Sequence, residues 1–179
     1  MEPVREATIT QTENGAVVET DGWFVLNAAD ARWTRNEQAG AWCDFEGNAP
    51  FPLYGANIHV VRPGQPNGLY HAESAQEDFL VLSGECLCLI EGEERRLKAW
   101  DFVHCPAGTY HVFVGAGDGP CAILMLGARV EGKTLHYPAD PLAAKHGAAA
   151  SEDTTSPRDA YRDWPGEFEP TRASWPPSA

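Results

Sequence analysis

The stretch "YHAESAQEDFLVLSG", residues 70–84, decides how this chain is read. From Glu77 onward it is a β-prone apolar run closed by a glycine. His71, Glu73 and Glu77 stand just ahead of that run and at its head. With strands over 69–73 and 77–82, side chains alternate between faces, so His71 and Glu73 point the same way. Glu77 shares its face with Phe79 and Val81, and Asp78 faces away. A lone buried carboxylate is driven toward its neutral form, and two carboxylates beside an imidazole need a cation or a hydrogen-bond network. A divalent metal satisfies all three groups at once. "CPAGTYHVF", residues 105–113, offers a further ligand in His111, after a Pro-x-Gly turn that can bring the chain back over the site.

Working outward, residues 50–129 break into short β-prone runs: "GANIHVVRPGQ", "EDFLVLSG", "ECLCLIEGEERRLKAWD", "FVHCPAG" and "YHVFVGAGDGPCAILMLGAR". Each is punctuated by Gly, Pro or Asp, and helical periodicity is almost absent. Such regular short strands predict an all-β sandwich or barrel. "IEGEER" reads as a hairpin tip around Gly92. "GAGDG", residues 115–119, superficially suggests a phosphate loop, but it leads into Pro120 and another β run, so it reads as a hairpin turn. Residues 1–49 are a polar, partly β extension, in which Trp23, Trp33 and Trp42 are read as packing residues. Past Arg129 the β signal fades. Asp140 before Pro141 and Gly147 beyond "LAAKHG" mark a short helix, and Ser156 before Pro157 repeats the start signal. The Pro- and Trp-rich end, "DWPGEFEPTRASWPPSA", is expected to lie extended on the domain or on a neighbouring subunit. The organisation is thus an extension over 1–49, a barrel over 50–130, and a tail over 131–179 with short helices.

The pattern resembles the cupin family. In its first motif, His-x-His is followed by a Glu and, seven positions later, a Gly; His71, Glu77 and Gly84 fall on it with the same spacing. "DFVHCPAGTYHVFVG", residues 101–115, is similar to the second motif through Pro106, Gly108 and His111. The second His of motif one is Glu73 here, Trp100 stands where glycine usually precedes Asp101, and Gly115 takes the place of a closing Asn. The resemblance implies a double-stranded β-helix, or jelly-roll, cupin barrel. It also implies one divalent metal (Zn, Fe, Mn or Ni) held by His71, Glu73, Glu77 and His111. Of these, Glu73 rests on its position and chemistry. It is an oxygen ligand, a base acting on metal-bound water, or a surface residue on a strand edge. A barrel that has lost its metal is the alternative to this set. Phe79, Val81 and Phe113 are the expected pocket walls, His59 the pocket mouth, and His104 a rim or structural residue.

The rest of the chain limits the functions open to it. A formal net charge of −13 argues against nucleic acid or an anionic membrane as a partner. The N-terminus has no signal-peptide core and no run is long enough to cross a bilayer, so a cytoplasmic protein is expected. The five cysteines show no zinc-finger or CxxC spacing and are read as small buried hydrophobes in preference to a thiolate site or redox pair. A two-histidine, one-carboxylate face suits Fe(II) and oxygen chemistry, and equally Lewis-acid isomerase, lyase or hydrolase chemistry. The alternative is a non-catalytic ligand-binding or sensory protein whose metal is structural or anchors the ligand. The apolar pocket residues favour a small, largely neutral or aromatic molecule. Sheet edges that must be covered, together with the resemblance, favour a homodimer.

Overall fold

Residues 2–173 are described in the computed structural model. β1 (Ile9–Thr12) and β2 (Gly15–Val18) form a hairpin of their own, and β3 (Trp33–Asn36) pairs with β4 (Gly40–Asp44). The short apolar runs then become β5 (Tyr54–Val61), β6 (Ala72–Glu73), β7 (Glu77–Ser83), β8 (Glu85–Ile90), β9 (Glu93–Lys98), β10 (Phe102–Cys105), β11 (His111–Ala116) and β12 (Cys121–Ala128). β13 (Leu135–His136), α1 (Pro141–Lys145), α2 (Pro157–Ala160) and β14 (Glu169–Thr171) complete the described chain.

The strands lie in two principal sheets. One has the order β10-β7-β12-β5-β4-β3-β14 and the other β11-β8-β9. The chain alternates between them: β7 is in the large sheet, β8 and β9 in the small one, β10 in the large, β11 in the small and β12 in the large. This alternation makes the double-stranded β-helix, and it decides what residues 115–119 do. They do not close a hairpin, because β11 pairs with β8 while β12 pairs with β5 and β7. The turn is a crossing between sheets.

Period-two patterning explains the core. Val61, Phe79, Val81, Cys86, Cys88, Phe113, Ile123 and Met125 face inward between the sheets. The alternate residues face outward, and part of them are covered by the two extensions. Ile58, Val60 and Ala122 pack with the fully buried Trp33 and Cys43 on the back of the large sheet. Leu89, Val112 and Val114 on the back of the small sheet pack with Tyr70, Ala143 and Ala148. Ala143 lies in α1, whose start is capped by Asp140: its carboxylate accepts from the backbone N–H of Leu142 and Ala143 at 2.9 and 2.8 Å. Ser156 caps α2 in the same way. The extended tail returns as β14 along β3 (Glu169–Arg35 to Thr171–Trp33), and its last residues, 174–179, lie outside the described residues. No helix of the described residues is long and apolar enough to cross a membrane.

Two glycines separate backbone strain from steric exclusion. Gly92 turns the β8–β9 hairpin at φ +78°, and a Cβ there would meet nothing within 4 Å. Gly84, at φ +75°, would place a Cβ 2.4 Å from the Pro120 carbonyl oxygen. Gly92→Ala should therefore cost about 1 kcal/mol, from the left-handed conformation alone. Gly84→Ala should cost about 3 kcal/mol or more, because the backbone must also move. Urea unfolding of both variants checks this; equal losses would mean that the close approach at Gly84 is not felt.

Candidate metal centre

His71 and His111 face each other across a backbone bridge in which each N–H donates to the other's carbonyl, at 3.2 and 2.9 Å. That pairing puts both imidazoles on the same side, with ring centroids 5.3 Å apart. Each ring is anchored in the same way. His71 Nδ1 donates to the Leu69 carbonyl at 2.7 Å, and His111 Nδ1 donates to the Thr109 carbonyl at 3.0 Å. A carbonyl oxygen can only accept, so Nδ1 carries the proton in both rings and Nε2 presents a bare lone pair. Glu77 enters from the head of β7, with Oε2 3.4 Å from His111 Nε2. One ligand atom each from His71, Glu77 and His111 lies within 4.8 Å of the other two. Beside Glu77 on β12 stands Gly127, where a Cβ would meet only the Glu77 side chain, so the site is open along that strand.

Burial sets the electrostatics. It pushes the His111 imidazole down to about 4, assisted by the neighbouring His71 ring, and it pushes His71 down as well. Burial pushes the Glu77 carboxyl up to about 7, assisted by the charge of Glu73 and opposed by Lys133. The centre is thus two neutral, bare nitrogens and a carboxyl that resists ionisation, pointing at one another; once Glu77 is ionised all three are acceptors with no donor among them. The floor is apolar: the Phe79 ring lies 4.9 Å from His111 and 4.7 Å from Phe113.

Glu73 stands beside this group and is not part of it. Its Oε1 is 4.0 Å from His71 Nε2, while Oε2 accepts from Lys133 Nζ at 2.8 Å. Its backbone carbonyl accepts from the N–H of Gly108 at 2.6 Å, which ties the Pro-x-Gly turn to the site. Lys133 arrives on the strap that leads into β13, which pairs with β6 in the register Leu135–Glu73. The same strap brings Tyr137, whose ring stacks on His71 at 5.3 Å. Burial raises the Tyr137 phenol, with the charges of Tyr161, Glu73 and Glu77 adding to the effect. Neither Lys133 nor Tyr137 was singled out from the sequence. A usable signal existed, because a carboxylate placed to be buried needs a cation and the chain has only three lysines.

The other candidates are dispersed. Val81 and Phe113 are fully buried in the packed core beneath the site. His59 is also buried, two strands away on β5, with Nε2 2.6 Å from the Ala39 carbonyl and its ring against Trp42; burial pushes it down to about 4. His104 is on the outside of the barrel, with Nδ1 2.6 Å from Asp78 Oδ1, in register across β10 and β7. Arg129 reaches the barrel mouth over Gly55, where its guanidinium donates to Glu46 and to the Phe51 carbonyl.

Against known proteins, the cupin domain matches residues 57–127. No curated protein matches the chain in sequence. Among solved structures, a sugar phosphate isomerase of the cupin superfamily from Silicibacter pomeroyi is 20% identical over 85% of this chain and 83% of its own, with a TM-score of 0.50. The polyketide cyclase RemF from Streptomyces resistomycificus is 13% identical over 59% of this chain and 79% of its own, with a TM-score of 0.52. A protein from Acidithiobacillus ferrooxidans is 20% identical with a TM-score of 0.49; the match covers 54% of this chain and 65% of that one, just under two thirds of its length. At these identities the likeness is one of fold. Both motifs, the alternation of strands between two sheets and the matched segment agree, and residues 57–127 form a cupin domain.

Proposed function

We propose that the protein binds one divalent metal ion through His71, Glu77 and His111 and uses it on, or to hold, a small molecule at the mouth of the barrel. The observation that carries this is the convergence of two bare Nε2 lone pairs and a carboxylate oxygen within 4.8 Å, with no hydrogen-bond donor between them. With Glu77 ionised, three acceptors facing one another in a buried mouth repel unless a proton or a metal cation sits among them. Bound there, a divalent ion would polarise a carbonyl or hydroxyl oxygen, or as Fe(II) support oxygen chemistry.

The chain's own residues supply the rest. The Nδ1–H anchors fix both imidazoles, so no rotation is needed on binding. Phe79 below and Tyr137 alongside favour a flat, weakly polar molecule over a heavily charged one. Glu73 keeps Oε1 toward the site and is the candidate to accept a proton from a bound molecule. Protein purified without a histidine tag should carry about one divalent ion per chain by elemental analysis, and His111→Ala should lose most of it. Equal, negligible metal in both proteins would end the proposal.

Without metal, a proton competes for the same place. The Glu77 carboxyl titrates higher in the folded chain, about 7, than its ordinary 4.5. Its contribution is therefore present below 4.5 and is lost as the pH rises through 7. The two imidazoles run the other way: both are pushed below the ordinary 6.5, so their contribution is present above 6.5 and is lost as the pH falls, for His111 toward 4. Between pH 5 and 6.5 Glu77 therefore opposes the histidines in the chelator-stripped protein. Glu77→Gln removes the opposing group, and its stability curve should be steeper than wild type by about 1.4 kcal/mol per pH unit. Urea titrations across this window give the answer, and parallel curves would show that Glu77 ionises normally.

A further inference from the structure

We infer that Lys133 is a positioning residue that holds Glu73 out of the metal's coordination shell. The ion is then gripped by three protein ligands and keeps its remaining positions for a small molecule. The inference rests on the metal reading above and goes beyond it. Two atoms bound to one ion at about 2.1 Å lie no more than about 4.2 Å apart, so ligands must converge on nearly one point. His71, Glu77 and His111 each bring a ligand atom within 4.8 Å of the other two, and Glu73 is outside that group although its Oε1 stands 4.0 Å from His71 Nε2. What stops it is visible. Glu73 Oε2 is engaged by Lys133 Nζ at 2.8 Å, and the ammonium cannot follow the carboxylate toward a divalent cation without like-charge repulsion.

Lys133 is itself held in place. Two residues on, β13 is paired to β6, the Ser74 N–H donates to the Thr134 carbonyl at 2.9 Å, and the Thr134 N–H donates to Ser74 Oγ at 2.8 Å. The strap that delivers the ammonium is therefore bonded on both sides of the carboxylate it restrains. The pair also sets the charge. Glu73 and Lys133 cancel, leaving a divalent ion with Glu77 at a net charge of plus one, whereas a ligating Glu73 without Lys133 would bring the centre to zero. A more positive ion is the stronger Lewis acid. A merely structural Lys133 would neutralise a buried carboxylate and leave the ligand set unchanged by its loss.

The test uses Co²⁺ as the probe, added to metal-stripped protein, and reads both the visible ligand-field spectrum and the affinity by competition with a chelator. Wild type and Glu73→Gln should share one spectrum. Lys133→Met should shift that spectrum as Glu73 enters the shell and bind about tenfold more tightly. Lys133→Met combined with Glu73→Gln should return to the wild-type spectrum and lose the gain. An unshifted spectrum in Lys133→Met overturns the inference. So does a gain that survives in the double variant, which would be only the field of the lost charge. So does a Glu73→Gln spectrum unlike wild type, which would make Glu73 a ligand already. Should Lys133→Met not fold, that last comparison decides alone. If folded wild type takes up no Co²⁺, the metal reading falls and this one with it. If Co²⁺ binds and depends on His111 while Lys133→Met changes nothing, only this one falls.

Discussion

Two hydrogen bonds govern the mouth of this barrel: His71 Nδ1 to the Leu69 carbonyl and His111 Nδ1 to the Thr109 carbonyl. Each runs to the carbonyl two residues earlier, so each ring is locked by its own strand and not by a distant partner. Together they choose the tautomer and aim both Nε2 lone pairs at Glu77. Burial then keeps both rings uncharged. An imidazole free to turn could satisfy Nε2 elsewhere; these cannot, and the demand for a cation is built into the backbone around them.

That backbone is held because each sheet is packed on its inner face and covered over part of its outer one. The inward residues meet in one core, and part of the outward ones are covered from opposite ends of the chain. The N-terminal segment brings Trp33 and Cys43 to the large sheet, and α1 brings Ala143 to the small one. β3, β4 and β14 extend the large sheet well beyond the strands that carry the site. The extensions are therefore structural partners of the barrel, and the strap that follows β12 supplies two of the side chains that shape its mouth.

Much of this was legible in local spacing. The period-two pattern of 77–83, the Gly-punctuated runs and the His-Glu-Gly and Pro-Gly-His spacings gave the fold and brought His71, Glu77 and His111 into view. Asp140-Pro141 and Ser156-Pro157 marked both helix starts, because capping is decided within a few residues. What could not be read depends on register over long distances. Lys133 meets Glu73 from 60 residues away through a two-residue ladder that leaves no pattern in sequence. His104 and His59 looked alike as isolated histidines beside apolar runs. Only the pairing of β10 with β7, and of β5 with β4, shows that one bonds Asp78 outside the barrel and the other the Ala39 carbonyl. The turn at 115–119 joins two sheets although its sequence reads as a hairpin, because a tight turn looks the same locally whether its strands pair or part to different sheets.

Four of the five cysteines, Cys86, Cys88, Cys105 and Cys121, meet in the core between the sheets, and Cys43 lies in the cluster behind the large one. All five are free, and burial pushes the Cys43, Cys88 and Cys105 thiols up to about 12. All five sulfurs are buried, so alkylating reagents have almost nothing to attack while the sheets stay together. The barrel thus carries its own clock. The rate at which these sulfurs become modified reports how often the two sheets part, and it does so without any probe having to be engineered into the chain.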